Sequence, residues 1–183
     1  MSKYNIEGVK TFEFTKIIGI ENIEFDYNII IDDFVLIYAK DKIKIGNFVH
    51  IASFTSISGG GELIMEDYST ISSGCRIVTG TDDFIGAGFG NSTINNDFRN
   101  LTIAKVTLKK FSIIGGNSVI LPGVTIGEGV SVGAGSVITK DLEPWGIYIG
   151  NKRVGERNKK EIMKSFSQFE ALSESEKSGS LFK

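Results

Sequence analysis

His50 is the single histidine of this 183-residue chain, and it opens the run HIASFTSISGGGE. An imidazole is the side chain best suited to moving a proton near neutral pH, so His50 is the candidate general base; the competing reading is an exposed histidine at a turn. Further on, SSGCRIVTGTDDF groups the hydroxyls of Ser72 and Ser73, the guanidinium of Arg76 and the adjacent carboxylates of Asp82 and Asp83. A carboxylate can hold an amine by a charge-assisted hydrogen bond or orient a base, and a hydroxyl can donate to a substrate or to a developing oxyanion. Asp82 and Ser72 are therefore grouped with His50 as catalytic candidates, and Asp83, Ser73 and Arg76 as substrate-binding candidates. Adjacent carboxylates at a loop start are also commonly solvated or capping residues, and such serines are commonly simple turn residues. Which of the two carboxylates is functional stays open at this point.

The elements that must position these groups are legible in a period of six. Leu108, Ile114, Ile120, Ile126, Val132 and Ile138 recur at that interval, each followed four residues later by Ser112, Ser118, Val124, Val130, Ser136 and Leu142. A helix repeats at 3.6 and a strand at 2, so an unbroken six is the mark of stacked short strands and turns in a hexapeptide β-helix. Earlier columns follow at Phe25, Ile31 and Ile37, at Ile45, Ile51 and Ile57, and at Met65, Ile71 and Ile77, where Cys75 fills the small core position. Breaks fall after Ile37, Ile57 and Ile77, three hexads apart, so they belong on one edge of a triangular prism. The third break is a projecting loop over about 82–105, and a long insertion in a regular stack is usually functional. The expected fold is all-β: a cap or arm over 1–24, a parallel β-helix over 25–142, and an extension over 143–183. That extension carries one amphipathic helix through Ile162, Met163, Phe166, Phe169 and Leu172, with Trp145 as a packing anchor.

Composition narrows the class. With 41% hydrophobic residues the chain suits one domain with a buried core, and a net charge of -2 argues against a nucleic-acid polymer as partner. One cysteine makes no internal disulfide, and no signal-peptide pattern opens the chain, so a cytoplasmic location is expected. No apolar run reaches the length of a membrane span. One histidine and a core cysteine are too few for a metal site.

The hexads, the projecting loop and the strings HIASFTSISGGGE, SSGCRIVTGTDDF and IIGGNSVILPGVTIGEGVSVGAGSVITKDLEPWGIYIGN resemble the hexapeptide-repeat acyltransferases, within them the sugar acyltransferases of surface-polysaccharide and nucleotide-sugar pathways. That resemblance implies a left-handed β-helix, a homotrimer, acyl-CoA as co-substrate with no metal, and three active sites between adjacent subunits. It implies transfer of an acetyl or short acyl group to the amine of a nucleotide-linked deoxyamino sugar, or to a sugar hydroxyl. The donor would lie along a groove where Gly115, Gly116, Gly133 and Ala134 allow close approach, with Lys140, Lys152, Arg153 and Arg157 facing its phosphates. Lys152 and Arg153 depart from the small residue and proline usual there in relatives. His50 and Asp82 fall a prism face apart in one chain, so a shared site would join them across a subunit interface.

Overall fold

The computed structural model describes residues 3–179; residues 1–2 and 180–183 of the expected cap and extension lie outside them. The chain winds into a three-sided prism of parallel coils. Face A stacks Val9–Thr11, Ile29–Ile31, His50–Ile51, Thr70–Ile71, Ile113–Ile114, Ser131–Val132 and Gly146–Ile149. Face B stacks Lys16–Ile18, Leu36–Tyr38, Ser56–Ser58, Arg76–Val78, Val119–Ile120 and Val137–Ile138, and face C runs from Ile23–Phe25 to Thr125–Ile126.

The six-residue period is the register of these ladders. On face B, Ile17, Ile37, Ile57, Ile77, Ile120 and Ile138 lie side by side in successive coils, all buried. Ile31, Ile51, Ile71, Ile114 and Val132 do the same on face A. Burying one such side chain is worth about 1.5–3 kcal/mol, so these columns supply the main driving force for winding the chain. The small positions are buried where the coil turns, Ser112, Ser118 and Cys75 among them, and burial pushes the Cys75 thiol above its ordinary pKa. That thiol donates to the Gly115 carbonyl and is a core residue.

Aromatic and asparagine residues in the left-handed region turn the chain at two edges: Phe34, Phe54 and Asn117 between faces A and B, and Asn28, Phe48, Tyr68, Phe111 and Trp145 between C and A. The third edge, between B and C, carries all the breaks, at 38–43, 58–63 and 78–106. The stack also starts earlier than the sequence shows. Val9–Thr11 pairs with Ile29–Ile31, and Lys16–Ile18 with Leu36–Tyr38, so the described part of the expected cap is largely a first coil. Its period is masked because Thr11, fully buried, holds an interior position that isoleucine holds in the next coil.

At the other end Gly146–Ile149 forms a hairpin with Lys152–Glu156. The expected single helix is two: α1, Lys159–Glu170, and α2, Glu174–Lys177, divided where Ser173 begins a capping box with Glu176. Phe166 and Phe169 of α1 pack edge-on against Tyr68, holding the helix on the CA edge. Trp145 packs over Gly129 and beside Phe111, the anchor expected of it.

Close coil stacking makes some glycines irreplaceable. A Cβ on Gly127 would lie 2.5 Å from the Leu142 carbonyl oxygen and 2.8 Å from the Pro144 nitrogen, both backbone atoms. Gly135 has nothing within 4 Å and only a positive φ, +69°, to oppose a side chain. Gly127→Ala is expected to destabilise by more than about 2 kcal/mol and Gly135→Ala by about 1 kcal/mol, read as the difference in thermal unfolding midpoints.

Candidate active site

The AB edge gathers most of the chemistry. His50 begins its face A strand with Ile30 and Thr70 as lateral neighbours, and its side chain points outward. Its Nε2 lies 3.1 Å from Asp32 Oδ2, with the two side chains 43% and 27% exposed, so both remain reachable by a ligand. A carboxylate only accepts, so in the neutral ring this contact assigns the hydrogen to Nε2 and the lone pair to Nδ1. Asp32 is the residue that sequence reasoning missed. The signal was available: Ile31 and Ile51 are lateral neighbours, and Asp32 directly follows Ile31, one step diagonal from His50.

Ser72 occupies the equivalent place two coils on. The Asp32 N–H donates to the Ile51 carbonyl, that of Ala52 to Ile71, and that of Ser72 to Ile114, so Asp32, Ala52, Ser72 and Gly115 form one column. Ser73 is exposed beside it. Gly116, Gly133 and Ala134 continue the same edge, and the backbone there is tightly stacked: a Cβ on Gly115 would meet the Val132 carbonyl oxygen at 2.5 Å. Arg76 turns toward the backbone, where Nη1 donates to the carbonyls of Phe54, Gly74 and Cys75 at 2.8, 2.8 and 3.0 Å.

An apolar groove of about 490 Å³ lies beside His50, between face A and α1, lined by Ile30, Phe48, Tyr68, Phe111, Ile162 and Phe166. Tyr68 ties the helix down by donating to Glu170 Oε1 at 2.9 Å, and burial together with that bond raises its pKa well above the ordinary phenol value. His50 therefore has an apolar wall on one side and the polar AB edge on the other.

The basic candidates divide. Arg157 is spent on structure, since Nη1 donates to the carbonyls of Phe111 and Gly129 and burial lowers its pKa. Arg153 pairs with Glu156 at 3.2 Å. Lys140 and Lys152 are exposed, and the residues before them, Thr139 and Asn151, are joined by two hydrogen bonds.

Asp82 and Asp83 lie on the BC edge, across face B from His50. Gly80–Thr81 pairs antiparallel with Thr102–Ile103 and closes the base of the loop. Asp83 braces it from inside: its carboxylate accepts from the N–H groups of Gly88 and Ile85, which hold it below the ordinary range, and from the Asn100 amide. Asp82 differs. Arg99 donates to it through Nε at 3.0 Å and Nη2 at 2.6 Å, both to Oδ1. Oδ2 has no partner among the described residues, and the side chain is 35% exposed. Asp82 thus has one oxygen fixed and one free, and Asp83 has both engaged. Arg99 sits in an aperiodic segment, which is why no spacing pointed to it.

Residues 105–140 match the family model described as "Bacterial transferase hexapeptide (six repeats)". A dTDP-4-amino-4,6-dideoxy-D-glucose acyltransferase of Escherichia coli is 34% identical over 157 residues, 84% of this chain and 82% of that protein. The chain belongs to the hexapeptide-repeat acyltransferases. Among solved structures it is similar to a serine-to-cysteine variant of AntD, an N-acyltransferase from Bacillus cereus, in complex with dTDP-4-amino-4,6-dideoxyglucose and coenzyme A: 34% identity, TM-score 0.84, 91% of this chain and 89% of that one. AntD with dTDP and 3-hydroxybutyryl-CoA matches at 35% identity and TM-score 0.83, over 90% and 88% of the two chains. In this hexapeptide-repeat acyltransferase the prism is the left-handed parallel β-helix that the family resemblance implies. Among the described residues no helix is long and apolar enough to cross a membrane.

The two aspartates are separable by experiment. Asp83→Ala removes the loop's internal brace, so protease cleavage within 84–100 should accelerate while the prism's unfolding midpoint stays near the parent's. Asp82→Asn keeps the loop's shape but removes the charge on Oδ2, so cleavage should change little while turnover falls about 10²-fold or more.

Proposed function

We propose that this protein transfers a short acyl group from acyl-CoA to the amine of a dTDP-linked deoxyamino sugar, in sites shared between neighbouring chains of a homotrimer. The observation that carries the reading is the division of chemistry between two prism edges, a His50–Asp32 pair on one and a half-free Asp82 on the other, in a chain whose close relatives are N-acyltransferases of dTDP-amino sugars. AntD variants crystallised with its ligands carry replacements at a serine and at an aspartate ten positions further along. Ser72 and Asp82 are separated by the same interval.

The roles follow from the geometry. The free Oδ2 of Asp82 holds and aims the acceptor amine. His50 Nδ1 takes the proton released as the amine nitrogen attacks the thioester carbonyl, while Asp32 keeps the ring oriented and favours the imidazolium that forms. The Ser72 hydroxyl can donate to the acceptor or to the oxyanion. Collapse of the tetrahedral adduct forms the amide and expels the coenzyme as thiolate. The donor is placed along the edge formed by Gly115, Gly116, Gly133 and Ala134, with Lys140 and Lys152 available to its phosphates.

An exposed apolar surface supports the shared site. Face B, which separates His50 from Asp82, exposes Ile18, Leu36, Tyr38 and Val137 at 42, 39, 43 and 51%. A second copy covering this surface would bring the AB edge of one chain to the BC loop of the next.

A thioester-release assay tests the reading. With acetyl-CoA and short acyl-CoAs, release is expected with dTDP-4-amino-4,6-dideoxyglucose and at least 100-fold less with plain glycosides that offer only hydroxyls. Release with the glycosides alone would overturn amine transfer. His50→Asn is expected to lower kcat by roughly 10²–10⁴-fold, and full turnover in that variant would remove His50 as the base.

A further inference from the structure

Two apolar features stand open among the described residues: the groove between face A and α1, and the tip of the loop on the BC edge. The floor of the groove is a ladder of rings, Phe48 on Tyr68 at 5.0 Å and Tyr68 on Phe111 at 5.4 Å, with Phe166 and Phe169 of α1 packed edge-on against it. Ile30 and His50 line it on the side of face A. The loop tip is built to project. Asp83 accepts from the N–H groups of Ile85 at 3.0 Å and Gly88 at 2.8 Å, so the chain turns around that carboxylate and holds Phe84 and Ile85 outward, 88 and 86% exposed. A braced turn that presents two bare apolar side chains is already ordered for docking.

The two features are level along the prism. Tyr68, midway along the groove's floor, lies in the coil of Leu63–Met65, Thr70–Ile71 and Arg76–Val78, and the loop departs from the end of that same coil. A three-fold axis along the prism turns a chain without shifting it along the axis, so a neighbour's loop meets the groove at the height of this coil. His50 is one coil away, a step of about 5 Å. Sideways the match also holds, since packing through face B sets the BC loop of one chain beside the AB edge and face A of the next.

We infer that Phe84 and Ile85 of one chain seat in the groove of its neighbour, between face A and α1, and that this contact sets Asp82 against His50. Asp82 is two residues from Phe84, at most about 7 Å of chain, and His50 lines the groove itself. A seated tip therefore carries the free Oδ2 of Asp82 to the histidine's side of the prism. Phe84 and Ile85 are positioning residues in this arrangement, and α1 is the wall that grips the neighbour's loop, tied to its own prism by the Tyr68–Glu170 bond. This rests on the homotrimer reading of the preceding section. The acyl chain of the donor is the other apolar group that could enter a groove beside the base, and the test separates the two.

The experiment joins cross-linking to kinetics on the full-length protein. In the double variant Phe84→Cys with Ser165→Cys, which places one thiol on the tip and one in the groove, mild oxidation is expected to join neighbouring chains, read by denaturing electrophoresis without reductant. Neither single variant should do so, and Cys75 is fully buried. Phe84→Ser with Ile85→Ser is expected to keep the oligomer's size and the KM for acetyl-CoA while kcat falls about 10²-fold, and Phe84→Leu with Ile85→Val to recover most of the loss. Absence of cross-links between chains of an assembled trimer overturns the inference, as does unchanged kcat in the serine variant. If the acyl chain is the occupant, the serine variant keeps its kcat and Ile162→Trp instead shifts preference from longer acyl-CoAs to acetyl-CoA. Failure of the parent to transfer any acyl group to the amino sugar removes the proposed reaction while the cross-link still reports the docking. Normal transfer by the parent, with a cysteine pair that never joins chains, removes the docking alone, and a parent that is a monomer by size removes both.

Discussion

Everything in this molecule depends on the in-register parallel ladder between coils. Strand N–H groups find their acceptors in adjoining coils, as Ile30 does at the Val49 carbonyl and Leu36 at the Thr55 carbonyl. That bonding fixes the rise of about 5 Å between layers and fixes which side chains are neighbours. Interior columns of isoleucine and the stacked rings at the edges are consequences of the same repeat. So is the site: Asp32 reaches His50 only because the ladder sets Ile31 against Ile51.

A ladder of this kind holds its groups rigidly but leaves little freedom to converge. Outward side chains on one face are parallel, and groups on different edges are separated by a face. His50 with Asp32, and Asp82 with Arg99, are each well formed within a chain, yet they stand on opposite sides of face B. The break in the stack after Val78 is the device by which an irregular segment escapes the repeat. Its two aspartates show how such a loop is built, with one carboxylate consumed in bracing it and the other held by a single oxygen so that the second is presented outward.

The regular part was legible because hydrophobic period and coil register are the same quantity. Breaks after Ile37, Ile57 and Ile77 did fall on one edge, since three hexads close one turn. Legibility failed where the interior chemistry changed or the period stopped. Thr11, a polar residue at a buried position, hid the first coil. The pairing of His50 with Asp32 needed the diagonal between neighbouring coils, which a one-dimensional period does not display. Arg99 and the internal bonds of Asp83 belong to a loop without repeat. Helix α1 was read from its apolar spacing, but its division from α2 turned on the local capping of Ser173.

In the proposed trimer His50 and Asp82 work together from different chains. Subunit complementation measures this most directly: His50→Ala and Asp82→Ala proteins are each inactive alone, are unfolded and refolded together, and the mixed oligomers are assayed for acyl transfer to the amino sugar. If each site draws His50 from one chain and Asp82 from the next, every mixed trimer retains one fully native interface, so an equal mixture should recover up to about a quarter of the parent's activity. Refolded mixtures that form trimers of the two variants yet stay as inactive as either variant alone would contradict the shared site.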